Sequence, residues 1–345
     1  MLHNDAVTIK DVAEKAGVST ATAARVMGNY GSTSEKTQRK VIQAARSLSY
    51  VPNAIAKSMR KHNTRTIGII IGNIQAPFFS KLACAIENVA DRAGYNVLIC
   101  NTNERPEKEI IRLRSLFERR VDGIIVSSAQ PCSEPLSEDV AFYYSGDTPV
   151  VMVDRKIDSL NCPLVQCDNI QGSYKAAKYL LELGHRKIGV LASNQFISST
   201  RERIGGFKMA LADYGLDFDE DMIRYCQEDH VSEVGPVITQ DLLDAHPEIT
   251  ALYLLNNPIY KSAWIELKMR GARIAKDISL LGWGDVELAE AWDITVVTQP
   301  IREIGVCAAE MLVDMIENKH VNKRAIFFET ALIHRSSCAR PRTEP

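Results

Sequence analysis

Small, hydroxyl-bearing and guanidinium side chains are concentrated in one short stretch near the start of the chain, VSTATAARVM. If this stretch is helical, Thr20, Ala21 and Arg25 lie on its outward face. An arginine can pair with a guanine edge in the DNA major groove, and small side chains allow contact with a thymine methyl group. The pattern therefore indicates DNA recognition. A three-helix cap with a hydrated polar face is the alternative reading of the same residues.

The other chemically reactive residues do not have the spacing of a known catalytic or metal site. The chain contains no GxxxxGK[ST] loop, no GxSxG elbow, no GxGxxG after the first strand, no HExxH and no CxxC pair. The eight cysteines are dispersed, and we interpret them as buried free thiols. We therefore expect a protein that is not an enzyme and that has no catalytic residues, metal or cofactor.

Charge is distributed unevenly along the chain. Residues 1–64 carry 10 Lys/Arg and 4 Asp/Glu, whereas the remaining residues carry 31 and 39. A basic head joined to an acidic body is typical of a nucleic-acid-binding module attached to a second unit. No run of 18 uncharged apolar residues could span a membrane, and the N-terminus lacks the features of a signal peptide. We therefore expect a cytoplasmic protein with no membrane partner.

Capping residues divide the head into three short helices. Thr8, Ser19 and Ser34 are placed to cap successive helices, and Gly17 ends the first one. The expected inward positions are Val12, Ala13, Ala16, Ala23, Val26, Met27, Val41, Ile42, Ala45 and Leu48. Helices this short are marginal alone, so they should share one small core. A helix, a tight glycine-containing turn and a second helix form the helix-turn-helix arrangement, whose second helix enters the major groove.

The rest of the chain alternates between apolar runs and amphipathic segments. Residues 50–63 form a linker that begins near Pro52 and could be helical over about two turns. The apolar runs IGIII, YNVLIC, DGIIVSS and PVVMVD form one series, and PLVQCD, KIGVLAS, ALYLL and ISLLGW form a second. Apolar strands that alternate with helices indicate parallel sheets covered on both faces. We expect an α/β body of two doubly wound subdomains, with a ligand crevice beyond the carboxyl ends of their strands.

Longer segments carry a specific resemblance. TIKDVAEKAGVSTATAARVM and SEKTQRKVIQAARSLSYVPNAIAKSM resemble the head and hinge of the LacI/GalR (lactose-repressor/galactose-repressor) family of transcriptional regulators. The resemblance continues in TIGIIIGNIQAPFFSKLACAIENVADRAGYNVLICNT, RRVDGIIV, PVVMVDR, CDNIQGSYKAAKYLLELGHRKIGVL, RERIGGF and VVTQP. It implies a small all-α helix-turn-helix head, a hinge and a two-subdomain periplasmic-binding-protein-like body. It also implies a homodimer that binds a roughly palindromic operator in double-stranded DNA and a small effector between the subdomains.

The resemblance also implies roles for individual residues of the head. Thr20, Ala21 and Arg25 match base-reading positions, Ser19, Thr22, Ser34 and Thr37 match phosphate-contacting positions, and Asn53, Ala56 and Met59 match the hinge. Two positions depart from the family pattern. Ala24 stands where a serine is common, and Gly28 stands where an asparagine is common. We expect these departures to remove two contacts to the DNA backbone and to lower the affinity for DNA.

In the body, the implied effector-binding residues are Asn73, Phe78, Phe79, Asp154, Arg203, Asn257, Trp283 and Gln299. The two phenylalanines would offer a stacking wall, and Asp154 would accept hydrogen bonds from hydroxyl groups. Arg203 would bind a hydroxyl or a carboxylate group. The alternatives are helix-start packing for Phe79, a strand-end cap for Asp154 and a core position for Trp283.

The segment LLNNPIYKSAW departs from the family at its effector-binding residue. The family usually has Asn-Asp there, with the aspartate binding sugar hydroxyls, whereas this chain has Asn256 and Asn257. Loss of that negative charge beside Arg203 favours an anionic ligand. We therefore expect a sugar acid or keto-sugar acid rather than a neutral sugar, unless Asp154 already neutralises the arginine.

These observations predict a repressor of carbohydrate or sugar-acid metabolism genes, whose operator affinity is controlled allosterically by a sugar-type effector. The predicted domains are a head over 1–49, a hinge over 50–63, an N-terminal subdomain over 64–166 and 293–322, and a C-terminal subdomain over 167–292 and 323–340. The C-terminal sequence IHRSSCARPRTEP contains no apolar heptad, which favours a dimer over a tetramer. The alternative is a two-lobed sugar- or sugar-acid-binding protein without a regulatory role, which would lack the head.

Overall fold

The computed structural model describes residues 7–28, 30–50, 63–226, 231–319 and 325–342. The chain divides after Thr64 into two compact units, which we call the head and the body. Within the described ranges, no helix is long and apolar enough to cross a membrane. The same ranges contain no group of three or more side chains that could hold a metal ion.

The described part of the head contains the three predicted helices, α1 (Ile9–Ala16), α2 (Thr20–Gly28) and α3 (Glu35–Ser47). The Thr8 backbone N–H donates to the Asp11 carboxylate at 2.7 Å, as in a capping box. Gly17 follows α1 in the left-handed conformation with φ 65°. That conformation favours glycine, so the residue ends the helix and turns the chain towards α2.

The three helices share one core, with one departure from the prediction. Its buried members are Val12, Ala13, Ala16, Ala23, Val41, Ala44 and Ala45. Ile42 was predicted to face inward but is 42% exposed. The inward positions of α3 are instead Val41, Ala44, Ala45 and Leu48. These four follow the i, i+3, i+4, i+7 spacing of one helix face, and Ile42 lies beside that face.

The described part of the body contains two six-stranded sheets, which agrees with the prediction of two doubly wound subdomains. The run PLVQCD was assigned to the second series but forms a strand of the first sheet, Leu164–Cys167. The first sheet has the order β11-β5-β4-β3-β1-β2, and all its neighbouring strands are parallel. Its strands are β1 (Thr66–Ile71), β2 (Asn96–Asn101), β3 (Gly123–Val126), β4 (Val150–Val153), β5 (Leu164–Cys167) and β11 (Ala325–Phe328). Its associated helices are α4 (Pro77–Arg92), α5 (Pro106–Glu118), α6 (Glu138–Tyr144) and α12 (Ile301–Ile316).

The second sheet has the order β12-β10-β9-β8-β6-β7, in which only β12 is antiparallel to its neighbour among the described strands. Its strands are β6 (Ile188–Ala192), β7 (Ile223–Tyr225), β8 (Ala251–Leu254), β9 (Ser279–Trp283), β10 (Thr295–Thr298) and β12 (Ala331–Ile333). Its associated helices are α7 (Asn169–Glu182), which precedes β6, and α8 (Ser198–Asp213), α9 (Val231–Ala245), α10 (Ile259–Met269) and α11 (Glu287–Ala291), which come after its strands.

Burial on both faces explains why most strands are apolar throughout. Along β1, Ile67, Ile69 and Ile71 join one core cluster, whereas Ile70 joins a second on the opposite face. The four edge strands, β2, β7, β11 and β12, are the exceptions, because most of their residues are exposed or half-buried. The α/β doubly wound prediction is confirmed.

The end of the chain is divided between the sheets differently from the prediction. Residues 293–322 were expected in the N-terminal subdomain, but β10 pairs in parallel with β9 of the second sheet. Residues 323–340 were expected in the C-terminal subdomain, but β11 pairs with β5 of the first sheet. We call the first sheet with its helices the first lobe and the second sheet with its helices the second lobe. Helix α12 packs against α4 and β4 of the first lobe. The chain therefore crosses between the lobes after β10 and again between β11 and β12.

Candidate DNA-binding and effector-binding sites

The second helix of the head presents the predicted base-reading side chains to solvent. Thr20, Ala21 and Arg25 are exposed, whereas Ala23 on the same helix is fully buried in the head core. Helix α2 is thus held by its inner face while its outer face is free to approach DNA. This is the geometry that a recognition helix requires.

The four predicted phosphate-contacting residues form two pairs with the same geometry. Thr22 donates its backbone N–H to the Ser19 hydroxyl at 3.2 Å, and the two hydroxyl groups lie 2.9 Å apart. Thr37 and Ser34 repeat this arrangement at the start of α3, with distances of 3.3 and 2.9 Å. Each pair caps a helix and places two hydroxyl groups at the helix start, which is a suitable arrangement for contact with a phosphate oxygen.

Gly28 has a structural role that its family position did not indicate. A Cβ atom built at this glycine would lie 2.3 Å from Cε1 of Tyr30, so any side chain would require the ring to move. The Tyr30 backbone N–H donates to the Arg25 carbonyl at 3.1 Å, which keeps the tyrosine against the end of α2. The hinge residues Asn53, Ala56 and Met59 lie outside the described residues.

A cavity lies between the two lobes of the body, beyond the carboxyl ends of several parallel strands. It contains about 460 Å³ of space that no protein atom fills, part of it open to solvent. Its lining residues are Ala76, Phe78, Phe79, Asp154, Arg155, Ser193, Ser199, Arg203, Asn256, Asn257, Pro258, Trp283 and Gln299. The structure thus brings seven of the eight predicted effector-binding residues together.

Asn73 is the predicted residue that is not part of the cavity lining. Its side-chain oxygen accepts a hydrogen bond from the Gln75 backbone N–H at 3.0 Å. The residue therefore shapes the turn between β1 and α4. Short polar side chains commonly bond to the backbone two residues ahead in this way.

Arg203 is fixed on the second lobe by contacts to three elements. Its Nε donates to Asn169 Oδ1 at 2.9 Å, and its Nη1 donates to the Leu255 carbonyl at 2.7 Å. Its guanidinium lies over the Trp283 ring, with Cζ 4.3 Å from the ring centroid. Arg201, two residues earlier, points away and pairs with Asp158 at 2.7 Å. The structure thus separates the arginine of the cavity from its exposed neighbour.

Arg155 is a second guanidinium of the cavity, and sequence reasoning missed it. It forms a two-pronged ion pair with Glu104, in which its Nη2 donates to Oε1 at 3.1 Å and its Nη1 donates to Oε2. It also lies over the Phe79 ring at 5.3 Å from the centroid. Glu104 and its predecessor Asn103 both have left-handed backbones, with φ of 59° and 51°. This unusual turn directs the Glu104 carboxylate to Arg155.

Asp154 lies between the two guanidinium groups. Its Oδ2 is 3.6 Å from Arg155 Nε, and its Oδ1 is 3.9 Å from Arg203 Nη2. The residue is buried and has a left-handed backbone with φ 62°. Burial raises the pKa of its carboxyl group, while the positive charges of Arg203 and Arg155 lower it. A carboxylate therefore already lies near Arg203. The prediction of an anionic ligand assumed that Asp154 does not neutralise this arginine.

Asn257 and Gln299 approach the cavity from two further segments. A Cβ atom built at Gly284 (φ 93°) would lie 2.2 Å from Asn257 Oδ1, so the glycine makes room for the amide. Gln299 Nε2 donates to Cys167 Sγ at 3.2 Å, just where the chain crosses between lobes. Burial raises the pKa of the Cys167 thiol to about 12, so the sulfur remains protonated and unreactive.

Six lining residues were not predicted: Ala76, Arg155, Ser193, Ser199, Asn256 and Pro258. A signal existed for two of them. Ser199 precedes Arg203 by four residues and so shares its helix face. Ser193 directly follows β6, at the end of a parallel strand where ligands usually bind. Arg155 carried no such signal, because Asp154 had already been assigned as the ligand-binding residue at the end of β4.

Comparison with known proteins places the chain in a family. The family of "bacterial regulatory proteins, lacI family" matches residues 8–53, and "periplasmic binding proteins and sugar binding domain of LacI family" matches residues 64–334. The HTH-type transcriptional repressor PurR of Vibrio atlanticus (strain LGP32) is 34% identical over 332 residues, which cover 96% of this chain and 98% of that protein.

Two solved structures extend the comparison to the whole fold. The complex of the transcriptional regulator CelR with cellobiose has 26% identity and a TM-score of 0.71, and the match covers 96% of this chain and 99% of CelR. The Lac repressor dimer bound to operator and the anti-inducer ONPF has 24% identity and a TM-score of 0.81, with 97% and 100% coverage. The latter likeness concerns the fold alone.

Members of this family are transcriptional regulators rather than enzymes, in agreement with the absence of catalytic motifs from the sequence. The head carries the recognition-helix geometry, and the family match over residues 8–53 includes that head. A two-lobed binding protein without a regulatory head is therefore not the correct description. The chain belongs to the LacI family of bacterial regulatory proteins and is a DNA-binding transcriptional repressor with a body of the sugar-binding class.

Proposed function

We propose that a sugar acid bound between the lobes controls the operator affinity of this repressor, and that the regulated genes serve carbohydrate or sugar-acid metabolism. The observation that carries the proposal is Arg203, which lines the cavity and whose Nη2 lies 3.9 Å from Asp154 Oδ1, beyond the length of a charge-assisted hydrogen bond. A ligand carboxylate can accept two parallel hydrogen bonds from a guanidinium, whereas a hydroxyl accepts a weaker one.

The remaining side chains of the cavity suit a hydroxylated ring. Asn256, Asn257 and Gln299 carry both donors and acceptors, and Ser193 and Ser199 add hydroxyl groups. The aromatic side chains can cover the apolar face of a sugar. The complex of the related regulator CelR with cellobiose supports a carbohydrate ligand for this cavity.

A planar heterocycle such as a purine base is the second candidate. Phe78, Phe79 and Trp283 all line the cavity, and stacking between aromatic side chains favours flat rings. However, Arg155 lies over the Phe79 ring and Arg203 lies over the Trp283 ring. Each arginine covers one ring face, which leaves less aromatic surface for a base. The balance of contacts therefore favours the sugar acid.

The proposed mechanism couples this cavity to DNA. Effector binding changes how the two lobes pack, and the operator affinity of the paired heads changes by the resulting coupling energy. The protein acts as a homodimer whose two heads read the halves of a palindromic operator, with Arg25, Thr20 and Ala21 at base edges. The match of residues 8–53 to the bacterial regulatory proteins of the lacI family supports the DNA-binding role of the heads.

The test begins with an operator selected from a pool of random duplexes by the full-length protein. Operator affinity is then measured by fluorescence anisotropy with matched ligand pairs, gluconate with glucose and galacturonate with galactose, and with purine bases. We expect one acid to change operator affinity by about 5- to 150-fold, the usual range of allosteric coupling. Its neutral partner should have no effect.

Two variants localise the response. Arg203→Ala should abolish it, whereas Arg201→Ala should keep it, because Arg201 lies on the same helix but pairs with Asp158 outside the cavity. An equal response to the neutral sugar would contradict the preference for an acid. A response to a purine base alone would establish the second candidate.

A further inference from the structure

One carboxylate serves two guanidinium groups that come from different lobes. Asp154 and Arg155 follow β4 of the first lobe, and Arg203 belongs to α8 of the second. The Asp154 oxygens lie 3.6 Å from Arg155 Nε and 3.9 Å from Arg203 Nη2. Each of the three side chains is less than 10% exposed. The carboxylate therefore compensates buried positive charge on both sides of the cavity.

The two ion pairs of Asp154 are looser than the other contacts of the same arginines. Arg155 is held by Glu104 at hydrogen-bond distance, and Arg203 is held by Asn169 and the Leu255 carbonyl. Both distances to Asp154 exceed the usual length of a charge-assisted hydrogen bond. The arginines would thus stay in place if another anion took over the role of Asp154.

We propose that Asp154 is an internal counter-ion that an acidic effector replaces, so that binding of the effector is linked to the uptake of a proton by Asp154. The proposal rests on the proposed function, in which an acid binds in this cavity. An anion that enters beside Asp154 brings two negative charges together at a buried site. The repulsion is relieved when Asp154 takes up a proton.

The groups around Asp154 determine the direction of this linkage. Burial raises the pKa of its carboxyl group, the positive charges of Arg203 and Arg155 lower it, and the negative charges of Glu104 and Glu202 raise it. A bound anion adds a further negative charge and raises the pKa again. Proton uptake therefore accompanies anion binding, and anion affinity increases as the pH falls between the free and bound pKa values of Asp154.

Sulfate is a suitable probe because it keeps its charge from pH 5.5 to 7.5 and does not depend on the identity of the effector. The variant Asp154→Asn removes the counter-ion, and asparagine tolerates the left-handed backbone at this position. By calorimetry on the full-length protein, we expect the variant to bind sulfate at least about tenfold more tightly than the wild type at pH 7.5. Wild-type affinity should increase towards pH 5.5, by up to about tenfold per pH unit, whereas the variant should stay constant.

Two further variants complete the experiment. Asp158→Asn is the matched control, since this exposed aspartate pairs with Arg201, and it should bind sulfate as the wild type does. In Asp154→Asn/Arg203→Ala the gain should disappear, which assigns the sulfate to the cavity rather than to the basic head. Equal sulfate affinity in the wild type and Asp154→Asn at every pH overturns the proposal, as does a gain that survives in the double variant.

The outcome is separable from that of the proposed function. If Asp154→Asn gains sulfate affinity but no sugar acid changes operator binding, the counter-ion role stands and the proposed effector class is wrong. If a sugar acid controls operator binding with an affinity that does not vary with pH, the effector class stands and the counter-ion role is wrong.

Discussion

The guanidinium of Arg203 lies over the indole ring of Trp283, with 4.3 Å between Cζ and the ring centroid. Trp283 ends β9 and Arg203 belongs to α8, so the stack joins two elements of the second lobe at the wall of the cavity. Gly172 makes room for the indole, because a Cβ atom there would lie 2.8 Å from the ring. The tryptophan is both a core residue and the support of the arginine.

The indole N–H of Trp283 has no hydrogen-bond partner within the described part of the chain. We expect Trp283→Phe to retain the stack with Arg203 but to weaken effector binding, because a ligand acceptor would lose this donor. A lost hydrogen bond costs about 0.5–1.5 kcal/mol, which corresponds to roughly a two- to tenfold loss of affinity. Calorimetry measures this change, and urea unfolding shows whether the fold is intact. An unchanged affinity would mean that the N–H faces no ligand.

Operator preference should depend on Arg25. This side chain is exposed on α2, and a bidentate pair with guanine contributes about 1–3 kcal/mol of discrimination. Arg25→Ala should therefore bind the selected operator and random DNA almost equally, with effector binding intact. Arg39→Ala is the matched control, because Arg39 is equally exposed on α3 and pairs with Glu35. Retained selectivity in Arg25→Ala, measured by anisotropy at a fixed salt concentration, would contradict the base-reading role.

Gly17 should stabilise the head because glycine adopts a left-handed backbone easily, and not because a side chain would collide with a neighbour. A Cβ atom at this position would have no neighbour within 4 Å, but the residue has a left-handed φ of 65°. Gly17→Ala should therefore lower the free energy of unfolding of the head by about 1–2 kcal/mol through strain alone. Gly17→Asn should lose less, because asparagine tolerates this conformation. Thermal unfolding compares the two variants, and equal losses would exclude backbone strain as the cause.

Much of the fold was predictable because most strands are buried on both faces. An apolar run such as IGIII has few alternatives to a central parallel strand, and β1 begins and ends within a residue of that run. The strands β10, β11 and β12 were not predicted individually, because each is only three or four residues long and β11 and β12 are partly exposed. Which sheet a short strand joins depends on the lobe to which the chain returns, and local composition does not encode that path.

The residues of the candidate site were predictable where the type and local position of a single residue indicate its role. Arg203 and Asp154 carry charges at a helix start and a strand end, and both line the cavity. Arg155 was missed because its role depends on Glu104, which lies 51 residues earlier in the chain. The role of Asn73 stays a prediction, because a polar turn residue after a strand has the same local pattern whether it binds a ligand or only its own backbone.

His185 should make stability depend on pH. Its ring contacts Thr250, Ser279 and the Ala339 carbonyl at 2.8–3.0 Å, and it joins the C-terminal segment to the second lobe. Burial lowers the pKa of this imidazole below its usual value of about 6.5. Charging the ring is therefore opposed in the folded state. Its contribution to stability is complete above pH 6.5 and is lost as the pH falls through the lower folded pKa.

The variant His185→Gln tests this dependence by urea unfolding between pH 5 and 8. It should be less stable than the wild type at pH 7.5 by about 1–3 kcal/mol, because buried partners lose their hydrogen bonds. Below pH 6.5, its stability should fall less steeply than that of the wild type, by up to about 1.4 kcal/mol per pH unit. His246→Gln is the control, since His246 Nδ1 contacts Glu248 Oε1 at 3.4 Å in a partly exposed position. Parallel curves for the wild type and His185→Gln would contradict the prediction.

The body should associate into a homodimer through the second lobe. Two half-buried rings, Trp264 of α10 and Trp292 after α11, stack at 4.5 Å, and Leu288, four residues before Trp292, is 41% exposed. Large apolar side chains gathered on one surface are typical of an interface. Light scattering should give twice the 38.4 kDa mass of one chain. Leu288→Glu should shift this mass towards the monomer, whereas Met209→Glu, which introduces the same charge at an exposed methionine of α8, should not. A tetramer mass, or a dimer that Leu288→Glu leaves intact, would refute this interface.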